Sequence, residues 1–444
     1  RLAVGFVKGA KVILSIPMRY GMLGFLMAIV SLTTAQGDDF DREPISYSTR
    51  QPENRVSKLI AELDAGKKTL KREPGFGYLR SLLAELQVPQ SSQMLVFSKT
   101  SLQRHKISPH TPRAIYFSDD TYIGYCQDGE VLEITAADKD LGAVFYTLVQ
   151  KDEEKPRIKR NTENCLICHG SSSTKGVPGH LVRSVYSDAS GLPILAAGTY
   201  RTNQTSPLRE RWGSWYVTGT HGGQLHLGNL IVRGRSRPED ADNAAGQNVT
   251  DLSSYFDTDK YLSPHSDIVA LMVLEHQAEA QNYITQANFG TRQALHYEQS
   301  LNRELGKPAN EHWDSTKSRI KSVCEPLLEY LLFSEEATLT HKIQGTSKFA
   351  AEFAQRGPRD KQGRSLRDLD LNRRMFKYPC SYLIYSDAFD ALPREAKDYV
   401  LRRLHEVLTG KDTSQPFAHL SASDRQSIRE ILLETHPGLP EYWR

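Results

Sequence analysis

Five consecutive residues constrain this chain more than any other stretch: Cys165-Leu166-Ile167-Cys168-His169. Cys-x-x-Cys-His is the attachment spacing of c-type haem. Two thiols on one short turn bond the two vinyl groups of a porphyrin. The histidine that follows lies under the same ring and offers a nitrogen to the iron as proximal ligand. Two other readings use the same residues. A structural zinc site would take Cys165 and Cys168 with two histidines such as His169 and His180. Zinc sites of that type normally carry a second paired half, and no other Cys-x-x-Cys or His-x-x-x-His occurs in the chain. A redox dithiol would open a helix in a βαβ setting and has no need of His169.

The N-terminus bears on which reading applies. Arg1, Lys8, Lys11 and Arg19 precede an apolar run from Met22 to Leu32, and Thr33-Thr34-Ala35 follows. A cationic flank, a short apolar core and a small-residue exit form the pattern of a secretory signal over residues 1–35, cleaved after Ala35. The alternative is an N-terminal anchor, for which the apolar core is short. Export would put the motif in a periplasmic or otherwise extracytoplasmic compartment, where haem is attached. The formal charge of +3 becomes −1 once the four leader cations are set aside. The remaining chain therefore gives no electrostatic reason to expect nucleic-acid binding, and no later stretch has the length and apolarity of a membrane span. Cys126, Cys324 and Cys380 lie outside the motif. In an oxidising compartment Cys324 and Cys380 can pair, and three buried thiols are the alternative.

Periodicity sets the organisation. Residues 36–100 hold two short amphipathic helices, with Val56, Leu59, Ile60 and Leu63 on one face of the first and Leu79, Leu82, Leu83 and Leu86 on one face of the second. Residues 101–235, with Met94 to Phe97 just before them, read as β-rich. Alternating runs at Ala114 to Phe117, Tyr122 to Cys126, Val131 to Thr135 and Gly142 to Val149 are punctuated by Asp and Gly. The basic stretch Lys155 to Arg160 then reads as a solvated loop, or as a contact for haem propionates or an acidic partner. Leu181 to Tyr186 and Leu192 to Tyr200 predict a hairpin, and Trp212 to Thr218 a further strand. Residues 236–265 have linker composition. Residues 266–444 are helical: Ser266-Asp267 caps a helix from Ile268 to about Phe289, and others span Thr316 to Ser334, Pro393 to Leu408 and Ser423 to Glu434. The fold class is α+β, a β-rich haem-bearing region flanked by short N-terminal helices and a helical C-terminal half.

From Pro112-Arg113-Ala114-Ile115-Tyr116-Phe117 through the motif to Trp215-Tyr216-Val217-Thr218-Gly219-Thr220-His221-Gly222, the chain resembles a family of secreted bacterial cytochrome c domain-containing proteins. The resemblance continues through Ser266 to Leu271 and Tyr378 to Tyr385. It implies one covalent haem and an extracytoplasmic location, and it supplies no reaction.

The second axial position decides between electron transfer and ligand chemistry. Met94, Met272 and Met375 are the methionines beyond the leader, and none stands out as a ligand. His276, one turn beyond Met272 on the buried face of the long helix, is the first candidate for the distal position. A buried histidine needs a partner, which iron or a neighbouring polar group can supply. His221, between a strand and two glycines, is the second. His180 and His226 read as loop histidines. Arg113, Arg183, Arg209, Arg211 and Trp212 are candidates to contact propionates or shape the pocket. The expected function is that of a secreted mono-haem electron carrier with a periplasmic redox partner. A haem enzyme acting on peroxide or a nitrogen oxide would use His221 with Arg209 or Arg211. A haem-based sensor or binding module would be built on the Asp188-x-x-Gly191-x-Pro193 hairpin.

Overall fold

The computed structural model describes residues 39–151, 156–234, 237–308 and 311–444. The secretory pattern of residues 1–35 and Lys155 of the basic stretch lie outside them. Asp38–Arg444 forms one compact unit, and its fold is α+β. Nine α-helices accompany a seven-stranded antiparallel sheet among the described residues.

Strict alternation in the sequence produces the sheet. Its strands are β1 (Met94–Val96), β2 (Arg113–Phe117), β3 (Thr121–Tyr125), β4 (Val131–Asp138), β5 (Gly142–Val149) and β6 (Ile158–Asn161). Two short strands, β7 (Arg183–Val185) and β8 (Thr199–Arg201), pair separately, and β9 (Trp215–Tyr216) closes the main sheet in the order β6-β5-β4-β3-β2-β1-β9. Successive side chains point to opposite faces. Leu95, Ala114, Tyr116, Ile123, Tyr125, Leu132, Ile134, Val144 and Leu148 therefore form one apolar face. It packs on helices α1 (Arg55–Asp64) and α2 (Leu79–Glu85). The opposite face presents Met94, Val96, Phe117 and Tyr122 to the helical half.

The motif forms a single turn of helix, α3 (Leu166–His169). Beyond it, α4 (Ile268–Glu304) runs for 37 residues, on the order of 55 Å. Residues Ile268 to Ala278 of α4 are all buried, so this helix is the axis of the second core. Asp267 is its N-cap, accepting from the Val269 and Ala270 amides at 2.8 and 3.3 Å. Ser266 ties the same end to the sheet: its Oγ accepts from Leu95 N at 2.9 Å and donates to Tyr216 O at 2.5 Å. The helix outruns the expected end near Phe289 because nothing stops it before Gly306, whose φ of 66° terminates it. Around α4 pack α5 (Asp314–Leu331), α6 (Phe349–Gln355), α7 (Asp387–Asp390), α8 (Arg394–Leu408) and α9 (Ala422–Thr435). No helix among the described residues is long and apolar enough to cross a membrane.

Three expectations change. Of the expected linker 236–265 the described residues, 237–265, are more than a linker, because Leu252, Phe256 and Tyr261 are buried in the first core. The basic stretch contributes strand β6 at the sheet edge, where Arg160 donates to Tyr47 O and Arg50 O at 2.6 and 2.8 Å. Charged residues on an edge strand are compatible with one-sided pairing. Most of Leu192 to Tyr200 is irregular, with a tight turn at Leu195–Ala197 before β8.

Candidate haem site

Side chains of β2 to β5 on the face toward α4 form the floor of a cavity of about 390 Å³, within the usual range for small-molecule sites. The strand registers set the floor in rows. Ile115 is opposite Gly124 and Gly124 opposite Glu133; in the next row Tyr122 is opposite Thr135 and Thr135 opposite Phe145. Trp215 together with Leu274 and Ala278 of α4 supplies the walls, and Cys165, Ile167, Cys168 and His169 stand at the rim.

Local folding explains why the motif faces inward. Leu166 is buried and anchors α3 in the first core. The turn closes through His169 N donating to Cys165 O at 3.0 Å. Cys165 is half-buried, whereas Cys168 and Ile167 are exposed. All five cysteines are free thiols, so Cys324 and Cys380, offered as a pair, are instead two separate buried thiols. Burial pushes the Cys165 thiol up to about 11. A reactive dithiol needs the opposite shift.

The loop after the motif folds back on it. Gly179 N donates to His169 O at 2.8 Å, and the His169 Nδ1 lies 3.0 Å from Gly179 O. A carbonyl can only accept, so Nδ1 carries the hydrogen and Nε2 keeps its lone pair. Nε2 makes no hydrogen bond among the described residues. The ring packs on Phe145 with centroids 5.0 Å apart. Burial holds the imidazole below its usual range, in the neutral form that binds metal.

His180 follows immediately. It is 9% exposed, and neither ring nitrogen has a hydrogen-bond partner among the described residues. Leaving such a group unpaired costs about 1–3 kcal/mol per polar atom. Its ring lies over Tyr122 at 4.2 Å between centroids and lines the cavity. Burial, with His169 nearby, pushes it down to about 3. The backbone is held from both sides by Asn282 of α4, whose Oδ1 accepts from His180 N and whose Nδ2 donates to His180 O, each at 2.8 Å. A Cβ on Gly179 would sit 2.3 Å from Asn282 Oδ1, so only glycine permits this approach.

The distal candidates named from the sequence lie elsewhere. His276 is buried, but its Nδ1 is 2.5 Å from Gln204 Oε1 and its Nε2 is 2.8 Å from Ser381 Oγ. Its ring stacks on Phe333 and Tyr330. Both nitrogens are engaged, and it is a core histidine. His221 is also buried, with Nε2 accepting from Asn248 N at 3.0 Å and the ring against His226; it does not line the cavity. Met94, Met272 and Met375 are core residues. Among the four arginines, Arg113 alone reaches the cavity. It pairs with Glu133 at 2.5 Å and keeps a buried, unpartnered Nε. Arg183 bonds Thr199, Arg209 is exposed and Trp212 is fully buried. Arg211 forms a buried ion pair with Glu275 at 3.0 Å. The zinc arrangement is not formed either: no group of three or more His, Cys, Asp or Glu side chains converges to hold a metal ion among the described residues.

The geometry fits a covalently held porphyrin. Two free thiols, an imidazole with an oriented nitrogen that no described residue engages, a floor of mixed apolar and polar side chains and a buried arginine nitrogen without a partner among the described residues meet at one cavity. Sequence reasoning read His180 as a loop histidine or a zinc ligand, not as an iron ligand, although Pro178-Gly179 just before it signalled that the chain turns back. Comparison with family models, with curated proteins and with solved structures finds no match to this chain.

Proposed function

We propose that this is an extracytoplasmic mono-haem c-type protein that carries electrons; the resemblance to secreted cytochrome c domain-containing proteins implies the covalent haem and the location. Cys165 and Cys168 hold the haem covalently, and His169 Nε2 is the proximal ligand. The observation that carries the reading is the pair of bonds between His169 and Gly179, which orients a free imidazole nitrogen beside two free thiols at the rim of the cavity. When bound, haem supplies a one-electron iron couple. The chain positions it, screens it with Phe145, Trp215 and Leu274, and offers Arg113 to a carboxylate.

Electron transfer is favoured over turnover by the rim. Ile167 and Leu102, which line the opening, are 77% and 57% exposed, a small apolar surface of the kind used in weak redox encounters with a partner protein. The residues a haem enzyme would have used, His221 and Arg211, are committed to Asn248 and Glu275. Residues 1–35 support export.

The test is to produce the chain with a haem-maturation system in an oxidising compartment. Pigment should stay on the polypeptide through acid extraction and denaturing electrophoresis, and be lost when Cys165 and Cys168 are both replaced by Ala. Extraction of all pigment from the unmodified chain would refute covalent attachment. Rapid turnover of peroxide or a nitrogen oxide would replace electron transfer with the enzyme reading.

A further inference from the structure

We propose that His180 is the second axial ligand of the iron, so that the site is closed by two histidines; this rests on the covalent haem reading above. Three independent features meet at this residue.

The first is its unmet chemistry. His180 is nine-tenths buried, and among the described residues both its ring nitrogens are unpartnered. The other two buried histidines weighed for this role have at least one nitrogen occupied within the protein. A ring nitrogen bound to iron loses its need for a hydrogen bond.

The second is placement. His169 packs on Phe145 and His180 on Tyr122. Tyr122 and Phe145 are both opposite Thr135, one from each side, on the same face of the sheet. Neighbouring strands are about 4.8 Å apart, so the two supports stand roughly 10 Å apart. Thr135, which lines the cavity, lies between them. The two imidazoles thus flank one slot above the floor.

The third is preorganisation. Gly179 O orients His169, and the next residue is held by Asn282 through both its N–H and its C=O. Tyr122, on which the His180 ring rests, is fixed by Gln277 and Gln281, each 2.7 Å from its hydroxyl. One dipeptide therefore sets both ligands against the same helix.

The experiment compares the full haem-loaded chain with His180→Ala and His180→Met, and with His276→Gln and His221→Gln as controls. The readouts are optical and electron paramagnetic resonance spectra. The unmodified ferric protein should be low-spin with bis-imidazole character. His180→Ala should turn high-spin, bind carbon monoxide when reduced, and return to low-spin on adding imidazole. His180→Met should stay low-spin with a higher reduction potential. Both controls should match the unmodified protein. A low-spin spectrum unchanged by His180→Ala overturns the proposal, as does a high-spin signal from the unmodified ferric protein, which requires no variant to fold. Covalent retention on a denaturing gel is scored separately, so loss of the haem reading is distinguishable from loss of the ligand assignment.

Discussion

At the level of single residues, burial and hydrogen-bond satisfaction separate histidines that look alike in sequence. His276 was the strongest distal candidate because it lies on the buried face of a long helix. In the fold, Gln204 and Ser381 take both its nitrogens. Burial pushes its imidazole down to about 3, below the value of about 6.5 in an unfolded chain. As pH falls, the unfolded chain takes up this proton first. The stability tied to neutral His276 is complete above about pH 6.5 and drains toward pH 3, at up to about 1.4 kcal/mol per pH unit. Replacing His276 by Gln should flatten the fall in urea midpoint over that window; an identical acid slope in the variant would reject the assignment. Gly179→Ala forces a methyl group against Asn282 and should cost about 1–3 kcal/mol, read as a lower urea midpoint. A midpoint equal to that of the unmodified chain would show that Asn282 moves aside freely.

Among the elements, α4 organises the site. Its cap decides where the helix begins and hence where Leu274, Ala278 and Asn282 reach the cavity. Asp267 also accepts from Ser347 N and Oγ at 2.7 and 2.8 Å. Asp267→Ala removes both sets of bonds and should lower stability by about 2 kcal/mol, whereas Asp267→Asn should lose less. Thermal melts of the two variants check the order, and equal losses would mean that charge, not capping, is what Asp267 supplies. Strands β1 to β5 and the helices α1, α2, α5, α8 and α9 were legible because alternation and the helical repeat follow directly from side-chain direction. Strand β6 was not, because an edge strand with basic residues has the local composition of a loop. The end of α4 was missed because helix-forming residues continue past the apolar stripe.

Across the whole molecule, a buried ion pair links the loop before β9 to α4. Arg211 and Glu275 are 3% and 0% exposed at 3.0 Å, and burial pushes the Glu275 carboxyl up. Arg211 also donates to Gln204 O and Ser206 O, the loop that holds His276. Removing one partner strands a buried charge. Arg211→Met should cost about 3–5 kcal/mol, and adding Glu275→Leu should recover a large part of it. Guanidinium unfolding of the single and double variants measures this, and a double variant no more stable than the single would show that Arg211 acts mainly through its backbone bonds. The two cores meet at the sheet, which explains why residues 237–265 are folded despite their linker composition. Their apolar side chains are few in sequence but converge on a surface supplied by distant strands.

Local sequence was sufficient for the α+β class, for most of the sheet, for the cap of α4 and for the turn that carries Cys165, Cys168 and His169. Each of these depends on interactions within a few residues. The floor of the cavity, the commitment of His276 and His221 to polar partners and the placement of buried His180 in the cavity lining depend on contacts across long separations. Asn282 and His180 are about a hundred positions apart, and no periodicity or spacing encodes that they meet. The attachment motif is a property of one turn. The residue facing it is selected by how a sheet and one helix pack.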